Sequence, residues 1–159
     1  MSERKIMPCL WFNFNAEEAV GHYLAVFAGG KVLSTSRYGD SGPGPKGAVM
    51  TMLFEIEGQR FLALNGGPHY AFTPAISLIV DCATQAEVDR LWDGLGEGGQ
   101  PMRCGWITDK FGVSWQIVPS AVARIMQSGD AAGTARAMRA MMPMTKIDVE
   151  TLEKAFEGP

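Results

Sequence analysis

Stretches with strand-like and helix-like patterns of apolar residues alternate along the first 119 residues of the chain. An apolar, aromatic run of strand length covers residues 7–14. Asn15, with Glu18 three residues later, has the spacing of a helix N-cap, and apolar residues then recur at helical spacing until Gly29 and Gly30, where the helix is predicted to end. Strands follow over 31–38, 48–56 and 60–64, separated by a loop rich in Gly and Pro and by a two-residue hairpin turn at Glu57 and Gly58.

The same order of elements then starts again. Residues 75–82 read as a strand with one apolar face, formed by Ile76, Leu78 and Val80. Thr84 is predicted to cap a helix, with Glu87 at the reciprocal position and Gly96 at its end. A short segment leads from there into a hairpin over 104–119. The repeated order of strand, capped helix and strands predicts an internal duplication.

The hairpin from Cys104 to Pro119 has one face built for packing and one polar face. Asp109 begins the turn, where we interpret it as a turn residue rather than an acid catalyst. In the second arm, alternation predicts that Val113, Trp115 and Ile117 share the packed face and that Ser114, Gln116 and Val118 share the other. A neutral amide at Gln116 is therefore a candidate ligand contact.

After Pro119 the pattern becomes helical. Ser120, Asp130 and Asp148 are the predicted caps, and Val149, Leu152 and Phe156 form a short apolar stripe. The methionines of this part of the chain indicate packing against the rest of the domain or against a second subunit, because Met fills irregular apolar gaps.

Composition narrows the classes of partner and compartment. The 159 residues carry a formal charge of -3 with a pI near 5.4, and the basic residues are scattered, so no nucleic-acid partner is expected. No apolar run approaches the roughly 20 residues that span a bilayer, so no membrane partner is expected either. Three cysteines and an N-terminus without the apolar core of a secretory signal predict a cytoplasmic location with free thiols.

Several motifs that could belong to a catalytic or binding site have a simpler structural interpretation. The glycines of residues 94–99 match GxGxxG, but they close a helix instead of opening one, which argues against a nucleotide or S-adenosylmethionine site. His22 and His69 lie on a helix flank and in a loop, too few and too scattered for a metal site. A Cys/His couple for nucleophilic catalysis stays an alternative at Cys104, but we favour an inert thiol that is buried or half-buried.

Four tryptophans are candidates for stacking on a ligand. Trp92, on a helix stripe, and Trp115, which alternates with Ile117, are predicted to pack in the core. Trp106 stays open between the core and the wall of a pocket.

Six segments together resemble the PhnB-like proteins, also labelled demethylubiquinone methyltransferase-like, of the vicinal oxygen chelate (glyoxalase and bleomycin-resistance) superfamily. They are PCLWFNFNAEEA with HYLAVF, EGQRFLALNGGP, AISLIVDC, CGWITDKFGVSWQIVP and MRAMMPMTKID. The resemblance implies an α+β fold in which two paired βαβββ modules, about 5–66 and 72–119, form a single domain over 1–119. Their strands would make a curved mixed sheet with helices on its convex side, followed by a helical extension over 120–159. It also implies a homodimer.

The resemblance identifies the positions at which glyoxalase-type members hold a divalent metal. In this chain they fall, to within one residue, on Pro8, Ala63, Ala75 and Gln116. Three of these side chains cannot ligate and an amide is a weak ligand, so no cofactor and no catalytic metal are expected.

The same alignment implies that Phe12, Asn65, Ser77, Trp106 and Gln116 line the ligand cup. Aromatic rings with a few amide and hydroxyl groups suit a partly apolar small molecule, so a metal-free binding site is the first functional hypothesis. The alternatives are methyl transfer to a quinone precursor or another aromatic, drug sequestration, and a metal-dependent lyase or dioxygenase. Whether the chain is an enzyme stays open.

Overall fold

The computed structural model describes residues 5–159 and divides the chain into two compact units, one ending at Phe72 and the other spanning Thr73–Pro159. Each unit contains one four-stranded mixed sheet with the same connectivity. The α+β fold and the duplication predicted from the sequence are therefore confirmed. Within residues 5–159, no helix is long and apolar enough to cross a membrane.

The first unit consists of β1 (Cys9–Phe12), α1 (Ala16–Val26), β2 (Lys31–Arg37), β3 (Val49–Ile56) and β4 (Gln59–Asn65), with strand order β1-β4-β3-β2. Strands β1 and β4 are parallel and the other pairs are antiparallel. One face of the sheet packs on α1 through buried aromatic rings: Tyr23 of the helix stacks on Phe54, which stacks on Phe61. The tight reversal between β3 and β4 is the predicted one, with positive φ angles of 48° at Glu57 and 72° at Gly58.

The second unit begins with β5 (Ser77–Cys82), α2 (Gln85–Gly96), β6 (Gln100–Pro101), β7 (Trp106–Thr108) and β8 (Ser114–Pro119), and its strand order is β5-β8-β7-β6. The parallel pair β5 and β8 is the counterpart of β1 and β4. The three apolar residues buried on the inner side of α2 are Val88, Leu91 and Leu95, and the sheet face toward the helix includes the buried Trp115 and Ile117. Packing of Trp115 and Ile117 is thus confirmed.

Three further helices, α3 (Ser120–Met126), α4 (Ala131–Met141) and α5 (Val149–Glu157), complete the second unit. They share a core of their own, formed by Ala121, Ile125, Ala137, Ile147 and Leu152, against which Val149 and Phe156 pack. Asp130 and Asp148 cap α4 and α5 through their side chains, as predicted. Ser120 is not a cap, because Pro119 holds that position and the Ser120 hydroxyl donates instead to Asp81 and to the carbonyl of Cys82.

Two local expectations from the sequence were wrong. The strand predicted from Ala75 begins only at Ser77, and Ile76 is 79% exposed rather than part of an apolar face. Helix α1 ends at Val26, before the two glycines, because the backbone of Phe27 is already extended.

Candidate functional site

The second sheet carries two rows of side chains in register on the face opposite α2, here called the polar face. The central row crosses β5, β8 and β7 as Ile79, Gln116 and Trp106, because Ile79 and Trp106 are both paired with Gln116. The adjacent row consists of three hydroxyl residues, Ser77, Ser114 and Thr108, which are paired in the same way. The tertiary register therefore brings together residues that are up to 39 positions apart in the sequence.

A side-chain hydrogen bond links the two rows. The amide nitrogen Nε2 of Gln116 donates to Oγ of Ser77 at 2.9 Å. The amide oxygen Oε1 of Gln116 and the hydroxyl proton of Ser77 stay available for a second partner, because an amide side chain has an acceptor besides its donors and a hydroxyl can both accept and donate. Both residues are half-buried, so the pair presents one acceptor and one donor at the protein surface.

Apolar groups lie on both sides of the amide. Trp106 is half-buried and Ile79 is 65% exposed, so both apolar side chains are accessible on this face. Trp106, which the sequence left open between the core and a pocket wall, is half-buried on the polar face and not in the core, and its role as a pocket wall stays a prediction.

Ser114 was placed on this face by alternation but was not among the predicted site residues. It is only 1% exposed, and its Oγ has no hydrogen-bond partner among residues 5–159. A buried hydroxyl without a partner is uncommon and marks a position that favours an additional polar group. Its row neighbour Thr108 was also missed, since only the register of β7 against β8 brings it to the site.

Two predicted cup residues do not face the way the alignment implied. Phe12 and Asn65 are register partners on the face of the first sheet that packs on α1, and each is 2% exposed. The ring of Phe12 contacts the edge of the Phe72 ring, with centroids 5.3 Å apart. Trp11 and Leu64 take the opposite face instead, so the orientation predicted for Phe12 and Asn65 was wrong. A ligand role for these two residues stays a prediction, and nothing below relies on it.

The side chain of Asn65 is engaged in holding α1. Its Oδ1 accepts from the backbone N–H of Ala16 at 3.0 Å, and its Nδ2 donates to Glu17 at 2.9 Å and to the carbonyl of Val49 at 3.1 Å. Asn15, the predicted cap, makes no side-chain cap bond. The helix is therefore capped from a neighbouring strand, because β4 delivers an amide oxygen to the first turn.

The positions equivalent to metal ligands in glyoxalase-type proteins are poorly suited to a metal. Pro8 and Ala75 are exposed and precede their strands, and Ala63 is fully buried on the face toward α1. Gln116 alone points to the polar face. Within residues 5–159, no group of three His, Cys, Asp or Glu side chains is arranged to hold a metal ion.

Asp109 is a turn residue, as predicted, and a heavily bonded one. It is 3% exposed; Oδ1 accepts from the backbone N–H of Phe111 and Val113, and Oδ2 accepts from the indole nitrogen of Trp115 at 2.9 Å. The carboxylate thus ties the turn between β7 and β8 to the packed face of β8.

Neither Cys104 nor Cys82 is arranged for nucleophilic catalysis. The Cys104 sulfur lies near the carbonyl oxygens of Met142 and Met141, at 3.5 Å and 3.8 Å, rather than near a base. Burial, aided by the neighbouring Glu87 and Asp81 carboxylates, raises the pKa of the Cys82 thiol to about 11. Cys82 is therefore a neutral thiol at physiological pH.

Trp92 was predicted to pack in the core but is only half-buried. With Asp93, Pro101 and Ile107 it lines an open cleft of about 300 Å³ between the end of α2 and the β6–β7 edge. The cleft is separate from the polar face, because Ile107 points to the opposite side of the sheet from Trp106.

Comparison with known proteins found a family model and solved structures that match most of the chain. The family model of 3-demethylubiquinone-9 3-methyltransferase matches residues 4–118. The structure of a PhnB protein from Bacillus cereus, described with the same activity label, is 35% identical over 73% of this chain and 99% of its own, with a TM-score of 0.67. A crystal structure of a protein from Pseudomonas aeruginosa is 25% identical over 74% of this chain and 98% of its own, with a TM-score of 0.62. No curated protein matches the chain.

The family match covers both βαβββ modules and ends within β8, so α3, α4 and α5 lie beyond it. With more than half of the chain matched and a relative above 30% identity over nearly its full length, the chain belongs to the PhnB-like family described as 3-demethylubiquinone-9 3-methyltransferase.

Proposed function

We propose that the polar face of the second sheet binds an uncharged, partly apolar small molecule. The observation that carries the proposal is the hydrogen bond from Gln116 to Ser77, with Gln116 lying between Ile79 and Trp106 in the central row. It leaves a neutral donor and acceptor flanked by an aromatic ring and an aliphatic side chain. Ligand sites typically combine apolar walls with a few convergent polar groups in this way.

The charge of the site favours a neutral ligand. All six residues of the two rows are uncharged, so a carboxylate or ammonium ligand would lose its hydration without meeting an opposite charge. Asp81, the next residue of β5 on this face, is exposed and accepts a hydrogen bond from Ser120. An aromatic ring that bears a hydroxyl or carbonyl oxygen fits: the ring stacks on Trp106 and its oxygen bonds to the amide and hydroxyl pair.

The donor set supports binding without a resident divalent metal. One amide and three hydroxyls are weak ligands compared with the His and carboxylate groups that hold catalytic zinc or manganese. Metal analysis of protein purified without chelators tests this: near-stoichiometric zinc, nickel, iron or manganese would contradict it.

Binding can be tested with 4-methoxyphenol, a neutral ring with two oxygens, against 4-methoxybenzoate and toluene as charged and oxygen-free probes. We expect 4-methoxyphenol to bind most tightly by calorimetry. The variant Gln116→Leu should weaken that binding by about tenfold, the equivalent of one hydrogen bond. Gln127→Leu, on the exposed end of α3, is the matched control and should bind as the parent does. Equal affinity for the three probes, or an unaffected Gln116→Leu variant, would overturn the proposal.

Methyl transfer to a quinone precursor is the second candidate, because the matched family model and the Bacillus cereus relative both carry that description. The glycines of residues 94–99 end α2 rather than joining a strand to a helix N-terminus, which gives no phosphate-type loop for a nucleotide-like cofactor. Micromolar binding of S-adenosylmethionine in calorimetry would favour this candidate over the first.

A cytoplasmic location stays a prediction from the cysteines and the N-terminal residues, and a homodimer stays a prediction from the resemblance. Light scattering of the purified chain tests the oligomeric state, and a monomer at micromolar concentration would contradict it.

A further inference from the structure

The segment between α4 and α5, which lies beyond the family match, is hydrogen-bonded to the second module next to the candidate site. The first attachment is a pair of backbone hydrogen bonds. The N–H of Cys104 donates to the carbonyl of Met144, and the N–H of Gly105 donates to the carbonyl of Thr145, both at 2.8 Å. Residues Met144 and Thr145, between α4 and α5, therefore run beside the two residues that immediately precede Trp106.

Those two residues have an uncommon backbone conformation. Cys104 and Gly105 have φ angles of 58° and 79°, in the left-handed region. For Cys104, which has a side chain, this conformation is unfavourable, so it persists only where the surroundings impose it. A Cβ at Gly105 would lie 2.7 Å from the Ile117 carbonyl oxygen and 2.9 Å from Cδ1 of Ile147. The extension thus holds a strained bend that only a glycine can complete.

The bend sets the start of β7. The carbonyl of Gly105 accepts from the N–H of Ile117 in β8 at 2.7 Å, and the carbonyl of Trp106 accepts from the N–H of Met102 at 2.9 Å. The backbone on both sides of Trp106 is therefore tied, so the ring's direction on the polar face depends on the bend at Cys104 and Gly105.

The second attachment is a side-chain clamp from α2. The Gln85 amide donates through Nε2 to the carbonyl of Ile147 at 3.2 Å and accepts through Oε1 from the N–H of Val149 at 2.8 Å. Lys146 adds an ion pair with Asp89 at 2.7 Å. Ile147, 1% exposed, is the core residue of the extension that lies against Gly105.

We propose that the C-terminal extension positions Trp106 for ligand binding, with Gln85 and Ile147 as the positioning residues. This inference rests on the proposed function, since Trp106 is taken as a ligand contact. Neither positioning residue is one of the six residues in the two rows. A substitution at Gln85 or Ile147 that weakens the attachment should therefore reduce ligand affinity only by letting the Trp106 ring leave its bound orientation.

The test uses the 159-residue chain labelled with 5-fluorotryptophan, whose four ¹⁹F resonances are assigned with single Trp→Phe variants. Gln85→Ala and Ile147→Ala should shift or broaden the Trp106 resonance and leave that of Trp11, in the first unit, in place. They should also weaken 4-methoxyphenol binding by about threefold to tenfold, the range expected for loss of one oriented contact.

Two control variants separate positioning from general destabilisation. Gln127→Ala removes an exposed amide of the same extension, and Val88→Ala truncates a buried side chain of α2 that supplies no hydrogen bond or ion pair of the attachments. Neither should move the Trp106 resonance or the affinity.

An unmoved Trp106 resonance in Gln85→Ala and Ile147→Ala would overturn the inference, as would a moved resonance with unchanged affinity for a ligand that needs Trp106. If Trp106→Leu itself leaves 4-methoxyphenol binding unchanged, Trp106 is not a ligand contact. That failure belongs to the proposed function, and the resonance measurement still reports whether the extension holds the ring.

Discussion

The two modules share one strand order but hold the start of their helices in different ways. Helix α2 is capped locally: Oγ1 of Thr84 accepts from the N–H of Glu87, and the Glu87 carboxylate accepts from the N–H of Ala83. Helix α1 is capped from a distance of 49 residues, by the Asn65 side chain at the end of β4. The helix therefore packs on the equivalent sheet face in both modules. The side chains that accept hydrogen bonds from the N–H groups of its first turn differ between the modules.

The last hairpin of each module is also stabilised in a different way. In the first module, the turn is two residues long and needs left-handed backbone at Glu57 and Gly58. In the second, the longer turn is organised by the Asp109 carboxylate, which accepts from two backbone amides and one indole. One turn is specified by backbone conformation and the other by the hydrogen bonds of a buried side chain.

The largest expected effect is at Asp109. Asp109→Ala leaves three donors without their acceptor, two of them in buried contacts, and should lower the free energy of unfolding by about 3 kcal/mol. Urea unfolding followed by circular dichroism measures the loss. A change below about 1 kcal/mol would mean that the turn conformation, as in the first module, is sufficient by itself.

Asn65 gives the next largest effect and directly tests the distant cap. Asn65→Ala removes the acceptor of the Ala16 N–H and a donor to the Val49 carbonyl, so we expect a loss of about 2 kcal/mol. Asn15→Ala is the matched control, with an expected change within about 0.5 kcal/mol because its side chain makes no cap bond. A larger effect at Asn15 than at Asn65 would reverse the assignment of the cap.

Thr84 tests the local cap of the second module. Thr84→Ala should cost about 1 kcal/mol, and Thr84→Ser should restore most of it because the hydroxyl oxygen is kept. The unfolding midpoint in urea distinguishes the two variants. If both lose the same stability, packing of the threonine methyl group and not the cap bond is responsible.

The smallest expected effect has the opposite sign. Glu57 is not glycine yet has a positive φ of 48°, and Asn tolerates this conformation better. Glu57→Asn should therefore raise the free energy of unfolding by about 0.5 kcal/mol. Gly58→Ala, at a φ of 72°, should lower it and serves as the contrasting variant.

Much of the architecture could be read from residue patterns. Alternation along β8 correctly separated Trp115 and Ile117 from Ser114 and Gln116, because side chains of a strand point to opposite faces with a period of two. The repeat of strand, helix and strands showed the duplication, and the turn residues at Glu57 and Gly58 marked a hairpin. Each of these elements depends on residue types within a short stretch of the sequence, so the local pattern predicts it.

Properties of the site that depend on contacts between distant segments required the tertiary structure. Alternation could place Gln116 on a polar face, but only the register of β5 and β7 against β8 brings Ser77 and Trp106 beside it. Asn15 had the right residue type and spacing for a cap, yet Asn65 caps the helix, because hydrogen bonding is decided by which group reaches the free N–H in space. The amino-acid sequence by itself thus determined the elements, their repetition and the two-sided character of β8. Only the tertiary structure decided the face on which Asn65 lies, the residues around Gln116 and the attachment of the C-terminal helices. These features depend on contacts between segments that are far apart in the sequence.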